Sequence, residues 1–262
     1  MRILFLGNNW VGWQLVRWLR EQRENIVGLA VHPAHQQKYR EEIIESAGVQ
    51  AEAVFDGARL QEPETLSAIQ RLEPDIAVSV FFGYILRPSF LRLPPAGCIN
   101  LHPSLLPYNR GAHPNVWSII EGTPAGVTLH YIDAGIDTGD IIAQRQVEVE
   151  PVDTGETLYR RLERACVDVF SGAWPLVRAG KAPRIKQPGC AGTCHRARDV
   201  ERIDEIDPEA SYKAKDLIDL LRARTFPPHS GAYFRRGGRK VYLRLQLSYE
   251  DPRQGAAVER RD

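Results

Sequence analysis

No stretch of this 262-residue sequence is apolar for long enough to span a bilayer, so no membrane-spanning helix and no membrane partner are expected. An excess of charge of one sign is missing too. The 34 Lys and Arg residues stand against 33 Asp and Glu, a formal net charge of +1, so whole-chain charge gives no reason to expect nucleic acid or an anionic surface. Met1 to Gly7 is too short in its apolar part for a signal peptide and leads directly into a strand-and-turn pattern, so a cytoplasmic protein is expected.

Cysteine is scarce, with four in all. Cys98 and Cys166 lie in apolar patterns and read as buried small hydrophobes. Cys190 and Cys194, with His195 beside them, are spaced more widely than the usual zinc pair and have no second ligand pair nearby. A plain loop is expected there, and no metal. Other signatures are also missing. Gly7 and Gly12 do not make the G-x-G-x-x-G arrangement, so a nicotinamide cofactor is not expected. The Asp- and Gly-rich stretch 133–140 lacks the spacing and the terminal Glu of an EF-hand loop. Ser104 has no G-x-S-x-G setting and is not read as a nucleophile. There is no internal repeat.

What is present is an alternation of short apolar runs with helical periodicity. Ile3–Leu6, Ile26–Val31, Ala51–Phe55, Ile76–Phe82 and Cys98–His102 read as strands. Trp10–Arg20, Gln36–Ala47, Glu62–Leu72 and His113–Glu121 read as helices between them. Val127–Ile132 and Ile141–Val149 read as two further strands, and 154–177 as a long helix that Pro175 kinks or ends. This order predicts an α/β fold: a Rossmann-like, open, mainly parallel sheet covered on both faces. Residues 179–198, rich in Gly, Pro, Lys and Arg, read as a linker. Beyond it, 210–224 reads as a helix, and 232–234 with 240–247 as a hairpin across Arg235-Arg236-Gly237-Gly238. The expected organisation is a catalytic domain over 1–180, a linker over 181–208, a small C-terminal helix-plus-hairpin appendage over 209–250 and a frayed tail over 251–262.

The stretch from Cys98 to Ile142 concentrates the chemistry. Apolar Cys98-Ile99 runs into Asn100, His102 and a Pro-rich turn, and apolar Gly126–Ile132 runs into the loop holding Asp133, Asp137 and Asp140. Open α/β sheets place their chemistry at such strand ends. Taken singly, a His at a strand end is more often a satisfied polar residue, and an Asn or loop Asp a turn former. An amide, an imidazole and a carboxylate together point to a site at Asn100, His102 and Asp137.

Asn100-x-His102-Pro103-Ser104-Leu105-Leu106-Pro107, followed by Asp137-Thr138-Gly139, resembles the folate-dependent formyltransferase family. A weaker resemblance covers most of 1–150 and resumes from Thr225-Phe226-Pro227-Pro228 to Phe234. It implies the formyltransferase fold, 10-formyl-tetrahydrofolate as formyl donor and acyl transfer to an amine without a metal. Such transfer needs a donor to the oxyanion and a proton relay. The resemblance gives these roles to Asn100, His102 and Asp137. Asn100 is read as the oxyanion donor, His102 as a second donor or the proton acceptor, and Asp137 as the group that fixes His102 or passes the proton on. It places Tyr84, Ile85 and Leu86 against the pterin ring and adds Asp133 and Gly135 to the folate side. Trp10, Ser104, Tyr108 and Arg110 are read on the acceptor side: Trp10 or Tyr108 to stack on a base or sugar, with packing the commoner role for a residue such as Trp10, and Arg110 and Lys186, by position, as positive groups for a pyrophosphate.

The resemblance is strongest to the nucleotide-sugar N-formyltransferases, whose compact core carries a short tail. The expected acceptor is therefore the amine of an amino-deoxy sugar linked to a nucleotide. A methionyl-tRNA enzyme would need a larger phosphate-contacting surface than the basic cluster Arg235, Arg236, Arg239, Lys240 and Arg244 on one hairpin, so nucleic acid is not the expected partner. A small amino acid or hydroxylamine acceptor fits the same core. So does a formyl-folate hydrolase, although its usual N-terminal regulatory domain is not expected ahead of a first strand at Ile3. A non-catalytic folate-binding module is the remaining alternative. Many relatives pair, so a homodimer is the expected assembly.

Overall fold

The computed structural model describes residues 1–36, 38–188 and 192–250. In chain order the elements are β1 (Arg2–Gly7), α1 (Asn9–Glu21), β2 (Asn25–Val31), α2 (Arg40–Ala47), β3 (Val54–Asp56), α3 (Pro63–Arg71), β4 (Ile76–Val80), α4 (Pro88–Leu91), β5 (Cys98–His102), β6 (Arg110–Gly111), α5 (Pro114–Ile120), β7 (Ala125–Tyr131), β8 (Ile141–Val147) and α6 (Gly155–Arg178). β9 (Cys194–His195), α7 (Ala214–Ala223), β10 (Tyr233–Arg236) and β11 (Arg239–Tyr242) follow.

Seven strands form one sheet in the order β3-β2-β1-β4-β5-β7-β8. The first five are parallel, and β7 and β8 are antiparallel additions. β1 shows why the sheet is covered on both sides. Its Ile3 and Phe5 belong to one apolar cluster with α1 and α6, while Leu4 and Leu6 belong to a second with Leu60, Ile69 and Phe90. Successive side chains of a strand point to opposite faces, so both sets are buried. Each such side chain removed from water contributes about 1.5–3 kcal/mol.

α6 is the main cover of one face. Thr154 caps it by accepting from Thr157 N–H, and Leu158, Leu162, Ala165, Val169 and Phe170 turn to the core. Pro175 does not end this helix, which runs on to Arg178 and so stops within a turn of it. Other differences from the sequence pattern have local causes. The helix expected from Gln36 begins only at Arg40, because Tyr39 takes a left-handed conformation with φ 59°. The strand expected over 51–55 is a 3₁₀ turn (Ala51–Ala53) followed by short β3. His113 likewise has φ 56°, so α5 starts at Pro114.

The segment after α6 does more than connect. Ile185 bridges Ile141, and β9 pairs in parallel with β6, laying the chain back across the sheet's edge. Gly111 has φ 85°, and a Cβ there would strike the carbonyl of His195, so this crossing needs glycine. The tail packs α7 on α5 and α6. Its β10–β11 hairpin turns through Gly237-Gly238, both at positive φ, as a tight two-residue connection requires. Arg224 grips Asp204 through Nε and Nη2 at 2.5 and 2.9 Å, fixing the tail to the segment before it. Among the described residues no helix is long and apolar enough to cross a membrane.

Candidate active site

The switch in strand order falls between β1 and β4, and the polar cluster lies beside it at the C-terminal end of β5. Antiparallel pairing sets Asn100 opposite His130 and His102 opposite Thr128. Asn100 and His102 are two residues apart and so share one face. The loop after β7 brings Asp137 over them.

Asp137 is the centre of the cluster. Its Oδ2 accepts from Gly111 N–H at 2.9 Å and stands 3.7 Å from His102 Nδ1. Its Oδ1 stands 3.4 Å from both His130 Nε2 and Asn100 Nδ2. Burial would raise this carboxyl, but His102, His130 and the Gly111 amide outweigh burial and hold it well below the usual carboxylate range. Burial also holds the His102 imidazole below its ordinary value, against the pull of Asp137. At neutral pH the site is therefore a carboxylate beside a neutral imidazole.

Both histidines have an acceptor near each ring nitrogen, since Asp137 Oδ1 also lies 3.4 Å from His130 Nε2, but at that nitrogen His130 meets the Asn100 amide as well. His130 Nδ1 meets the Tyr131 carbonyl at 2.8 Å, so in the neutral ring Nε2 is left as an acceptor for Asn100 Nδ2, 3.2 Å away. His102 meets an acceptor on each side: the Asn109 carbonyl 3.3 Å from Nε2, and Asp137 beyond Nδ1. No neutral tautomer can donate to both. Gaining a proton satisfies both, which suits a group that accepts a proton during reaction.

Asn109 is fully buried. Its side-chain amide donates to Ser118 and Thr123 and its Oδ1 accepts from Thr193. This fixes the carbonyl that faces His102. Thr128 plays a similar part for the Pro-rich turn, donating to Ser104 O and accepting from Leu106 N–H.

The structure brings Asn100, His102 and Asp137 together. The other residues singled out in the sequence surround them unevenly. Tyr84, Ile85 and Leu86 form the loop after β4. Tyr84 packs on His32 and Phe82, Leu86 is buried, and Ile85 is 76 % exposed. Among the described residues, the backbone groups of Ile85 and Leu86 make no hydrogen bond. Asp133 Oδ1 accepts from Gly135 N–H and the Thr138 hydroxyl, holding its own loop. Trp10 is half-buried at the start of α1 and Tyr108 half-buried in the turn before β6. Ser104 is fully buried, and its hydroxyl has no partner among the described residues. Arg110 points its guanidinium at Gln187, and Lys186 pairs with Asp140 at 2.9 Å. Cys190 lies outside the described residues. Cys194 is exposed, and no metal-binding group of His, Cys, Asp and Glu occurs among the described residues.

The tail reaches this end of the sheet. Phe226 packs on Tyr159 of α6, which also meets Phe81 at the end of β4. Tyr159 O–H accepts from Asn9 Nδ2 just beyond β1. The turn containing Thr225-Phe226-Pro227-Pro228 thus stands beside the loops after β1 and β4.

His130 and Gln187 were not singled out in the sequence. His130 sits in an apolar alternating run, and only the β5–β7 register reveals that it faces Asn100. Gln187 sits in a segment of linker composition.

A family model described as formyl transferase matches residues 1–173, and one described as N-formyltransferase dimerization C-terminal domain matches 199–249. The methionyl-tRNA formyltransferase of Geotalea daltonii is 32 % identical over 266 residues, covering 98 % of this chain and 83 % of that protein. The solved structure of a 4-N formyltransferase from Francisella tularensis superposes with a TM-score of 0.78 at 27 % identity, covering 95 % of this chain and 98 % of that one. The formyltransferase PseJ from Anoxybacillus kamchatkensis, in complex with UDP-4,6-dideoxy-4-formamido-L-AltNAc and tetrahydrofolate, is 32 % identical with a TM-score of 0.57, covering 77 % of this chain and 89 % of that one.

Proposed function

The chain belongs to the formyl transferase family, and we propose that its acceptor is the amine of an amino-deoxy sugar carried on a nucleotide. It is a folate-dependent N-formyltransferase with 10-formyl-tetrahydrofolate as co-substrate. The observation that carries the acceptor reading is the tail. Residues 199–249 match the N-formyltransferase dimerization C-terminal domain, and the turn of this tail packs through Phe226 on Tyr159, beside the loops after β1 and β4.

The loop after β4 fits the co-substrate. Ile85 and Leu86 offer free backbone donors and acceptors beside an exposed apolar side chain, which is what a flat, heteroatom-rich ring requires. Ile136, 48 % exposed in the Asp137 loop, offers a second apolar surface. Tyr84, Ile85, Leu86, Asp133 and Gly135 would hold the folate. When bound, it supplies the formyl carbon that the acceptor amine attacks.

In this reading Asn100, His102 and Asp137 carry the transfer. His102 accepts the amine proton; together with the one N–H of the neutral ring this gives the imidazolium a donor on each side, toward Asn109 O and toward Asp137, and the proton would pass on to the leaving folate nitrogen as its bond to the formyl carbon breaks. Asp137, already ionised, stabilises the imidazolium that results. Asn100 donates to the formyl oxygen after releasing Asp137 Oδ1, the longer of its two contacts. Removing one such donor commonly costs about two to three powers of ten in rate.

A methionyl-tRNA acceptor is the second reading, favoured by the identity to the Geotalea enzyme over 98 % of this chain. Two of the five hairpin cations speak against it. Arg235 is taken by Glu205 at 3.0 Å, and Lys240 lies over the Tyr233 ring. Incubation with 10-formyl-tetrahydrofolate and an acceptor panel decides between them. The panel holds amino-deoxy nucleotide sugars, charged initiator tRNA, glycinamide ribonucleotide and hydroxyornithine. A formyl mass gain on a nucleotide sugar alone is the expected outcome. Gain on tRNA alone overturns the acceptor, and folate release with no acceptor gain indicates a hydrolase.

A further inference from the structure

Gln187 lies between α6 and β9, outside every motif in the chain. Its Nε2 donates to the backbone carbonyls of Asp137 and Gly139, each at 2.8 Å. Its Oε1 accepts from Arg110 Nη2 at 2.6 Å and Nε at 3.2 Å. The opposite amide orientation would set oxygen against two carbonyls and NH₂ against a guanidinium, so the partners fix the side chain one way.

The loop it grips is under constraint. Asp137 has φ 52°, in the left-handed region, which costs a non-glycine residue energy, an Asp less than most. A Cβ on Gly139 would collide with the Tyr131 carbonyl, so the chain passes too close there to relax by shifting inward. Neighbouring contacts do not replace the amide. Asp133 Oδ1 holds Gly135 N–H and the Thr138 hydroxyl on the same loop, and the exposed cations Lys186 and Arg184 meet the Asp140 side chain, but none of these contacts is to the Asp137 or Gly139 carbonyl. Among the described residues, Gln187 is the side chain that holds the Asp137 carbonyl.

We propose that Gln187 is a positioning residue for formyl transfer: its amide fixes the backbone of the Asp137–Gly139 turn and thereby holds the Asp137 carboxylate between His102 and His130, while Arg110 orients the amide. The proposal rests on the reading of Asp137 as a catalytic group. It also gives the segment after α6 a role in the site, and gives Arg110 a task inside the protein.

The test uses the full-length protein with imidazole NMR titration of His102 and steady-state kinetics in parallel. His102 is faced by Asp137 from the loop, by His130 from β7 and by the Asn109 carbonyl. Withdrawing the Asp137 carboxylate removes an interaction that favours imidazolium, so the His102 titration must move to lower pH. Gln187→Ala is expected to move it down, toward the position found in Asp137→Asn; Gln187→Glu adds a carboxylate that itself favours imidazolium, so that variant is read by its kcat. Glu keeps the partner of Arg110 but presents oxygen to the two carbonyls, so it separates bracing of the loop from anchoring of Arg110. In kinetics, kcat should fall about tenfold or more, with KM for both substrates within about twofold. A His102 titration unchanged in Gln187→Ala overturns the proposal, as does a wild-type kcat in Gln187→Glu. Full transfer by Asp137→Asn, with Gln187→Ala still shifting the titration, overturns the catalytic reading and leaves the bracing intact.

Discussion

Asn100 and His130 face each other across β5 and β7, with the amide Nδ2 3.2 Å from the imidazole Nε2. The Nδ1 of His130 is committed to the Tyr131 carbonyl, so in the neutral ring Nε2 accepts from the Asn100 amide and orients it. His130→Ala should therefore lower kcat through loss of Asn100 alignment, by about tenfold to a hundredfold, with little change in folate binding. His130→Gln, which can still accept at a similar place, should recover part of the loss. Steady-state kinetics of the two variants checks this.

The carboxyl of Asp137 and the imidazole of His102 are both held below their ordinary values, which fixes the sign of their link to stability. In each case the folded protein binds fewer protons than the unfolded chain, so stability rises with pH. The His102 contribution is fully present above its ordinary value of 6.5 and is lost as pH falls through the depressed folded value. The Asp137 contribution follows the same direction at lower pH. Denaturant melts from pH 7 downward should show falling stability, and His102→Gln should flatten the upper part of that fall.

Ser104 carries a fully buried hydroxyl with no partner among the described residues. Replacing it by Ala removes a polar group that loses its hydration on folding, so stability should hold or rise, by up to about 1–3 kcal/mol. Transfer kinetics should be unchanged if Ser104 does not contact the acceptor. A raised KM for the acceptor would instead give the hydroxyl its partner. Thermal melts and acceptor titrations read both.

Much of the fold is legible in the sequence because each buried strand is a short apolar run bounded by turns. Ile76–Val80 and Ile3–Leu6 need nothing but their own pattern. Asn100, His102 and Asp137 are visible because polar residues interrupt such runs at their ends. His130 is not, because its neighbours make an ordinary alternating strand and its meaning comes from register with β5. Gln187 is hidden differently. The segment has the composition of a linker, and its role depends on backbone carbonyls, which no sequence pattern marks. Tyr39 and His113 shorten two helices through left-handed backbone at their N-terminal ends.

Gly139 gives a sharper steric case. A Cβ there meets the Tyr131 carbonyl, and backbone cannot yield as a side-chain tip can. Gly139→Ala should displace the Asp137 loop and abolish transfer while the rest of the fold survives. Circular dichroism near that of the wild type together with lost activity is the expected pair of results.

The most direct measurement is a double-mutant cycle on His102→Ala and Asp137→Asn, read as single-turnover formyl transfer to whichever acceptor the wild-type protein uses. If the two residues act as one proton-accepting unit, the double variant should be no slower than the more damaged single variant. Losses that multiply would show the two acting independently and would contradict the account.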